Sequence, residues 1–481
     1  MMNIKRFLKR AAFLALAIAL MAGVLGAAAP SDYGLRDDIN AAIEKTRSMQ
    51  GGNVLFSGAF LEGVGSSIPD WYAVALGRAG IKDDYAAYLS ALSGYVSDRY
   101  EEEHLLDRSK STEWHRISLA AASLGGDPTA FGREGNINLI ADGAYAWKHS
   151  ESLGDQGING WIWSLIALDC MRYEIPEGAV YTRDVIIERV LSRQLPDGGF
   201  ALLGDTSAGT DLTAMAVQAL APYYNSGQVY RLELADGNAA ETDVRGAVDA
   251  ALACLSRMQT ENGDFSGGGK PACEGSAQAI IALCAMGIDP AADARFVKNG
   301  NSALDGLLRF KTADGGFAHA LEGNVKYDPM STEQALQALV ATARLHGGYR
   351  SLFDCRSEPE PELARRIESL RAGIDALDSS VGGDLTRLWE EYLALPAWEK
   401  CYVYNAGFLR DAMIKSGAEP GIAYTAEEIG YINGGAAGVT EIFGGGLPVI
   451  VWVGIAAAVA ACAAVLTVLI IRRREKKNQN R

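Results

Sequence analysis

Metal-ligand spacing is missing from this chain. Its seven cysteines and five histidines include no Cys-x-x-Cys pair, and the histidines are scattered at 104, 115, 149, 319 and 346. Zinc sites of ordinary spacing take their ligands from short local clusters, so no metal and no other cofactor is expected. A phosphate-binding loop is missing too: Gly267-Gly268-Gly269-Lys270 is followed by Pro271 and is not a P-loop. No G-x-S-x-G nucleophile elbow and no G-C-G-E-Q thioester sequence occurs.

Positive charge is scarce wherever it is not concentrated at the ends. The whole chain carries −15; with the four cations of the first 29 residues and the net five positive charges after Ile471 set aside, the rest carries −24. Such a field repels phosphate polymers and anionic lipid surfaces, so nucleic acid is not an expected partner. A solvated acidic surface accounts for the excess more simply than an acidic docking face.

Those two ends are distinctive. In residues 1–29, Lys5, Arg6, Lys9 and Arg10 precede an apolar run from Ala11 to Gly26 and a set of small residues, the pattern of a secretory leader. The run is short for a membrane span. Pro448 to Ile471 holds 24 residues without a charge, as a helix roughly 36 Å long, enough to cross a bilayer core. Arg472, Arg473, Arg474, Lys476 and Lys477 follow, which predicts a cytoplasmic tail at 472–481. Gly444-Gly445-Gly446-Leu447-Pro448 leads into Val449-Ile450-Val451, which does not complete a sortase signal, so a retained single-pass anchor is expected. Export permits disulfides. Cys355 with Cys401 is one pairing, although connectivity is not fixed by sequence; Cys254 and Cys284 fall in apolar helical runs and read as buried thiols.

Between the ends a unit recurs six times at intervals of about 40 to 65 residues. Each unit closes with a short apolar helix that starts on a polar residue, at Asp70, Glu113, Asn159, Asp211, Glu274 and Ser331. These helices are apolar all round and must be buried on every side. A more amphipathic helix precedes each, at Asp38–Gln50, Asp83–Tyr100, Ile137–His149, Thr182–Gln194, Val244–Gln259 and Ser302–Lys311. The pattern predicts an all-α fold, an (α/α)6 toroid of six helix pairs over residues 36–350, with an open solenoid as the competing arrangement. Three links share a form, Gln194-Leu195-Pro196-Asp197-Gly198-Gly199-Phe200, Gln259 to Asn262-Gly263-Asp264-Phe265, and Lys311 to Asp314-Gly315-Gly316-Phe317. Turn chemistry explains them without calcium.

Q-x-x-D-G-G-F before an Ala-rich buried helix resembles the repeat of the prenyltransferase and squalene-cyclase superfamily, in its exported bacterial branch. Segments 210–224 and 296–302 carry the same likeness. The resemblance implies an α/α toroid. It leaves activity open, because the superfamily includes cyclases, zinc prenyltransferases and vitamin-B12 carriers without catalysis. The cyclase acid motif D-x-D-D-T-A, laid on this sequence, reads Gly209-Thr210-Asp211-Leu212-Thr213-Ala214, and implies Asp211 as the proton donor. Its acidic neighbours are absent, and Asp211 reads more readily as a helix N-cap. No D-x-C stands where a zinc prenyltransferase needs it; Cys273 with Asp264 or Glu274 and a distant His319 is a substitute that nothing else in the sequence supports.

In such a toroid the inner helices surround a pocket. Asp70, Trp71, Tyr72, Glu113, Trp114, His115, Trp161, Trp163, Glu274 and Glu333 are the candidate ligand-binding residues, with core filler and capping as the alternative reading. Residues 351–446 predict a helical stalk and flexible linker, with Leu363, Ile367, Leu370, Ile374 and Leu377 forming a packing seam. Two functions follow: a membrane-anchored bacterial surface protein that binds a small, mostly apolar molecule, or an isoprenoid-active enzyme with Asp211 as acid. Protein partners are not specified by anything in the sequence.

Overall fold

The structure, a computed structural model, describes residues 34–443 apart from 205, 234–238, 267–268, 324 and 378–381. The expected leader, the apolar segment 448–471 and the basic tail lie outside the described residues. Among the described residues, no helix is long and apolar enough to cross a membrane.

The first compact unit ends at Ile442 and is mostly helical. In chain order it contains α1 (Leu35–Gln50), α2 (Ser67–Ala79), α3 (Tyr85–Glu103), α4 (Thr112–Ser123), α5 (Ile158–Asp169) and α6 (Arg183–Leu191). It continues with α7 (Thr210–Leu220), α8 (Val244–Met258), α9 (Cys273–Ala285), α10 (Ala303–Leu308) and α11 (Pro329–His346). Then follow α12 (Pro361–Asp375), α13 (Gly382–Leu393) and α14 (Ala406–Lys415). Two hairpins that the periodicity does not announce interrupt the helices: β1 (Val229–Glu233) with β2 (Ala239–Asp243), and a two-residue pair at 297–298 and 301–302.

The six apolar helices pack in a cycle. α2 lies against α4, α4 against α5, α5 against α7, α7 against α9, α9 against α11, and α11 returns to α2. An open solenoid has no such return contact. Around this inner set, α1 packs on α11, α6 on α5, α8 on α7 and α10 on α9. Four outer helices, α3, α6, α8 and α10, begin on side-chain caps: Asp84, Thr182, Asp243 and Ser302, the last in a full capping box with Asp305, whereas α1 starts from Gly34 without one. The third outer position departs from expectation. Instead of a helix over Ile137–His149 there is one π-helical turn, Ala141–Tyr145. Gly143 approaches Trp114 so closely that a Cβ there would meet the Trp114 Cβ at 2.4 Å. That approach leaves no room for a full helix with side chains.

The three Asp-Gly or Asn-Gly links are built alike. Phe200, Phe265 and Phe317 are fully buried. Their backbone N–H groups donate to Thr213, Ser276 and Thr332 hydroxyls on the following inner helix, at 3.0, 3.1 and 2.9 Å. Gly198, Gly263 and Gly315 adopt φ of 86°, 88° and 93°. A Cβ on each would sit 2.6, 2.2 and 2.9 Å from a carbonyl oxygen of the next outer helix region: Ala250, Ser302 and Ala41. Positive φ and backbone contact both demand glycine. The third of these contacts joins the last link to α1, and Lys311–Asp38 and Lys45–Asp314 ion pairs reinforce it.

The region expected as a stalk is packed against the body. Residues 350–356 enter the ring at the C-terminal ends of the inner helices, which form its base. Arg78 on α2 holds the Leu352 and Ser351 carbonyls. Arg350, Asp354, Arg356 and Glu399 form a buried ion-pair network. Burial alone would push the Asp354 carboxyl up, but Arg356, Arg350 and Arg172 hold it well below the usual range. From Tyr431 onward the chain crosses the base as a strap, bonded to the Arg172 carbonyl, Asp127 and the Ala79 carbonyl in turn.

Candidate functional site

The candidate residues divide into those that point between the two helical layers and those inside the ring. Asp70, Tyr72, Trp114, His115 and Trp161 belong to the first group. Asp70 accepts from Gly65 N–H, Tyr88 on α3 (2.6 Å) and Arg116 Nε (2.9 Å). The Tyr72 hydroxyl lies 2.8 Å from Thr46 on α1. Trp114 donates its indole N–H to Tyr100 and stacks on His149 at 4.9 Å. Trp161 meets Tyr181 edge-on at 5.3 Å. His115 bonds the Gly143 carbonyl at 2.7 Å through Nε2, and burial lowers its pKa to about 4, so it is a neutral core histidine. These residues hold the two layers together.

Trp71 and Trp163 are placed differently. Their helices, α2 and α5, are not neighbours in the cycle, because α4 stands between them. Yet the two indoles meet at 5.0 Å, so they meet across the interior. Phe353, carried in by the base segment, contacts both, at 6.3 and 5.5 Å. Trp71 and Phe353 stay partly exposed, as do Leu212, Met215 and Gln334 on the inner wall. Below them lies a recess of about 40 Å³ lined by Ile166, Gln218, Ile281, Phe353, Asp169 and Arg172, among others. That volume suits a few waters.

Along the far wall runs a chain of amides that the sequence reading passed over. Gln218 on α7 donates to Gln278 on α9 at 3.1 Å, and Gln278 donates to Gln334 on α11 at 3.2 Å. The Gln218 side-chain oxygen is buried and has no partner among the described residues. The signal was present: glutamine is out of place in helices apolar on every side. With Thr213, Ser276 and Thr332 as common reference, Gln278 and Gln334 occupy one register, and Gln218 shares another with Gln337.

The acids take separate roles. Glu113 pairs with Arg116 at the mouth of the ring, the N-terminal ends of the inner helices. Glu274 accepts from Ser331 at 2.5 Å and pairs with the exposed His319 at 2.9 Å, which raises the pKa of that histidine. Glu333 is buried against Gln337 at 2.6 Å; burial pushes its carboxyl well above the usual range, and Glu274 and Asp328 add to the effect. Asp211 is not the N-cap expected of it. Gly209 occupies that position without a side-chain cap, and the Asp211 carboxylate has no hydrogen-bond partner among the described residues. The Cys273 substitute for a zinc site does not assemble: the thiol is buried against the Ser331 carbonyl, and the described residues contain no metal-holding cluster.

No protein-family model matches the chain, and no curated protein matches it.

Proposed function

We propose that the protein is a membrane-anchored (α/α)6 toroid of the bacterial cell surface, built on prenyltransferase/squalene-cyclase-like repeats, that binds a small, mostly apolar molecule within the ring. The observation that carries this reading is the meeting of Trp71, Trp163 and Phe353 across the interior, with Trp71 and Phe353 still partly exposed. Aromatic faces at the centre of a ring offer a flat apolar guest large contact area at little cost in side-chain entropy. The Gln218–Gln278–Gln334 chain supplies polar handles beside them, and the orphan Gln218 oxygen can accept one donor. The leader and the 448–471 segment support placement of the toroid outside the cell.

An acid role for Asp211 finds less support. A carboxylic acid able to protonate an alkene needs hydrogen-bond donors that stabilise its conjugate base, and Asp211 has none among the described residues. The test uses the full chain in detergent, incubated with squalene, prenyl diphosphates, corrinoids and a cell extract. Native mass spectrometry follows retained compounds and free products. We expect one compound held unchanged, with affinity reduced about tenfold or more in Trp71→Ala and Trp163→Ala. New products that vanish in Asp211→Asn would replace this reading with an enzyme; no retained compound would remove it.

A further inference from the structure

Two cysteines meet where the base segment enters the ring. Cys170 follows the last residue of α5, and Cys355 lies in the segment that carries Phe353 and Asp354 inward. The Cys355 N–H donates to the Cys170 carbonyl at 2.7 Å, which sets the two residues side by side, and the Cys355 thiol lies 3.5 Å from the Ser123 hydroxyl. Both side chains are fully buried. The other described cysteines sit elsewhere: Cys401 accepts from Arg172, Cys273 faces the Ser331 carbonyl, Cys284 faces Thr342, and Cys254 lies under Gly199. All six described cysteines are free thiols, and Cys355 has Cys170 as its neighbour in the backbone, whereas the expected partner Cys401 sits on Arg172.

We propose that Cys170 and Cys355 form a disulfide in the exported protein, which latches the 350–356 segment, and with it Phe353, into the base of the ring. The proposal uses export, the one part of the functional reading it needs, and is independent of any ligand. The bond forms by thiol–disulfide exchange with a disulfide donor of the oxidising compartment. The Cys355 thiolate attacks one donor sulfur and expels a thiolate; the Cys170 thiolate then attacks the Cys355 sulfur of the mixed disulfide and expels the second. Two cysteine thiols lose two protons and two electrons, and the donor leaves as two thiols. The Cys170 thiol and Arg78 both favour the thiolate of Cys355, which makes it the attacking group. Since both sulfurs are enclosed once the segment docks, exchange accompanies docking.

The bridge would span 170 to 355, joining the third inner helix to the chain that leaves the sixth. Closing so long a loop removes much freedom from the unfolded chain. The test begins with full chain recovered from the cell envelope, denatured without reductant, alkylated and peptide-mapped. We expect one reducible cross-linked pair that contains Cys170 and Cys355, with the other cysteines alkylated directly. Cys170→Ser should make Cys355 alkylatable, whereas Cys401→Ser should leave the bridge intact. Reduction should lower the melting temperature by several degrees. Free thiols at both positions in the envelope protein, or a Cys355–Cys401 pair, would overturn the proposal. Refolding the same chain in a glutathione redox buffer then separates the causes: a bridge formed there means the compartment failed, and free thiols mean the geometry did.

Discussion

A single hydrogen atom decides three positions in this fold. At Gly315 any side chain would meet the Ala41 carbonyl at 2.9 Å while holding φ at 93°. Gly315→Val should therefore cost about 3 kcal/mol or more in urea unfolding, whereas Gly204→Ala, with open space around it, should change little. Two buried titratable groups make opposite demands on pH. His115 titrates near 4 when folded and near 6.5 when unfolded, so the unfolded chain binds more protons between those values. Its contribution, about 3 kcal/mol, is lost as pH falls from 6.5 towards 4, and His115→Gln should blunt that loss in melting temperature. Glu333 has the reverse sign. Its folded pKa lies above the unfolded value of 4.5, so folding takes up a proton and stability declines as pH rises beyond 4.5. Glu333→Gln keeps the shape and should flatten melting temperature against pH above 4.5.

At the scale of the element, the repeated links were legible because their requirements are local. Asp-Gly-Gly-Phe states a turn, a positive φ and a buried ring within four residues, and the structure repeats it with the same hydroxyl bond each time. Thr332→Val keeps the volume but strips the acceptor from Phe317 N–H. It should lower stability by about 1–3 kcal/mol, measured by chemical denaturation. The phase of each inner helix was not legible in the same way. A helix apolar all round has no polar face to say which side meets the interior, so Trp161 and Trp163, two residues apart, could not be told apart. One faces Tyr181 and the other the ring centre. Glu333 was grouped with Asp211 and Glu274 by its closeness to a helix start. Measured from Thr332 it lies one residue after the reference hydroxyl, not two before, and it points into the wall between helices. Phe353 lay outside the repeat altogether, so no repeat argument could have placed it at the centre.

For the whole molecule, the cycle of helix contacts makes each unit depend on both neighbours, and the first on the last. A chain without residues 35–50 loses α1 together with the seat of Gly315, Lys311 and Asp314. Circular dichroism should show such a chain melting over a broad range, without the single cooperative transition of the intact body. The same closure sets a timetable for synthesis. α1 leaves the ribosome about 260 residues before Lys311, an interval of tens of seconds at ordinary elongation rates. Throughout that interval the growing arc has two unmatched apolar ends, with no capping repeat among the described residues to cover them. When two nascent chains emerge side by side, each holds the segment the other still lacks. Exchange of α1 between them, giving a linked pair of rings, is the misassembly this topology must outrun in every round of synthesis.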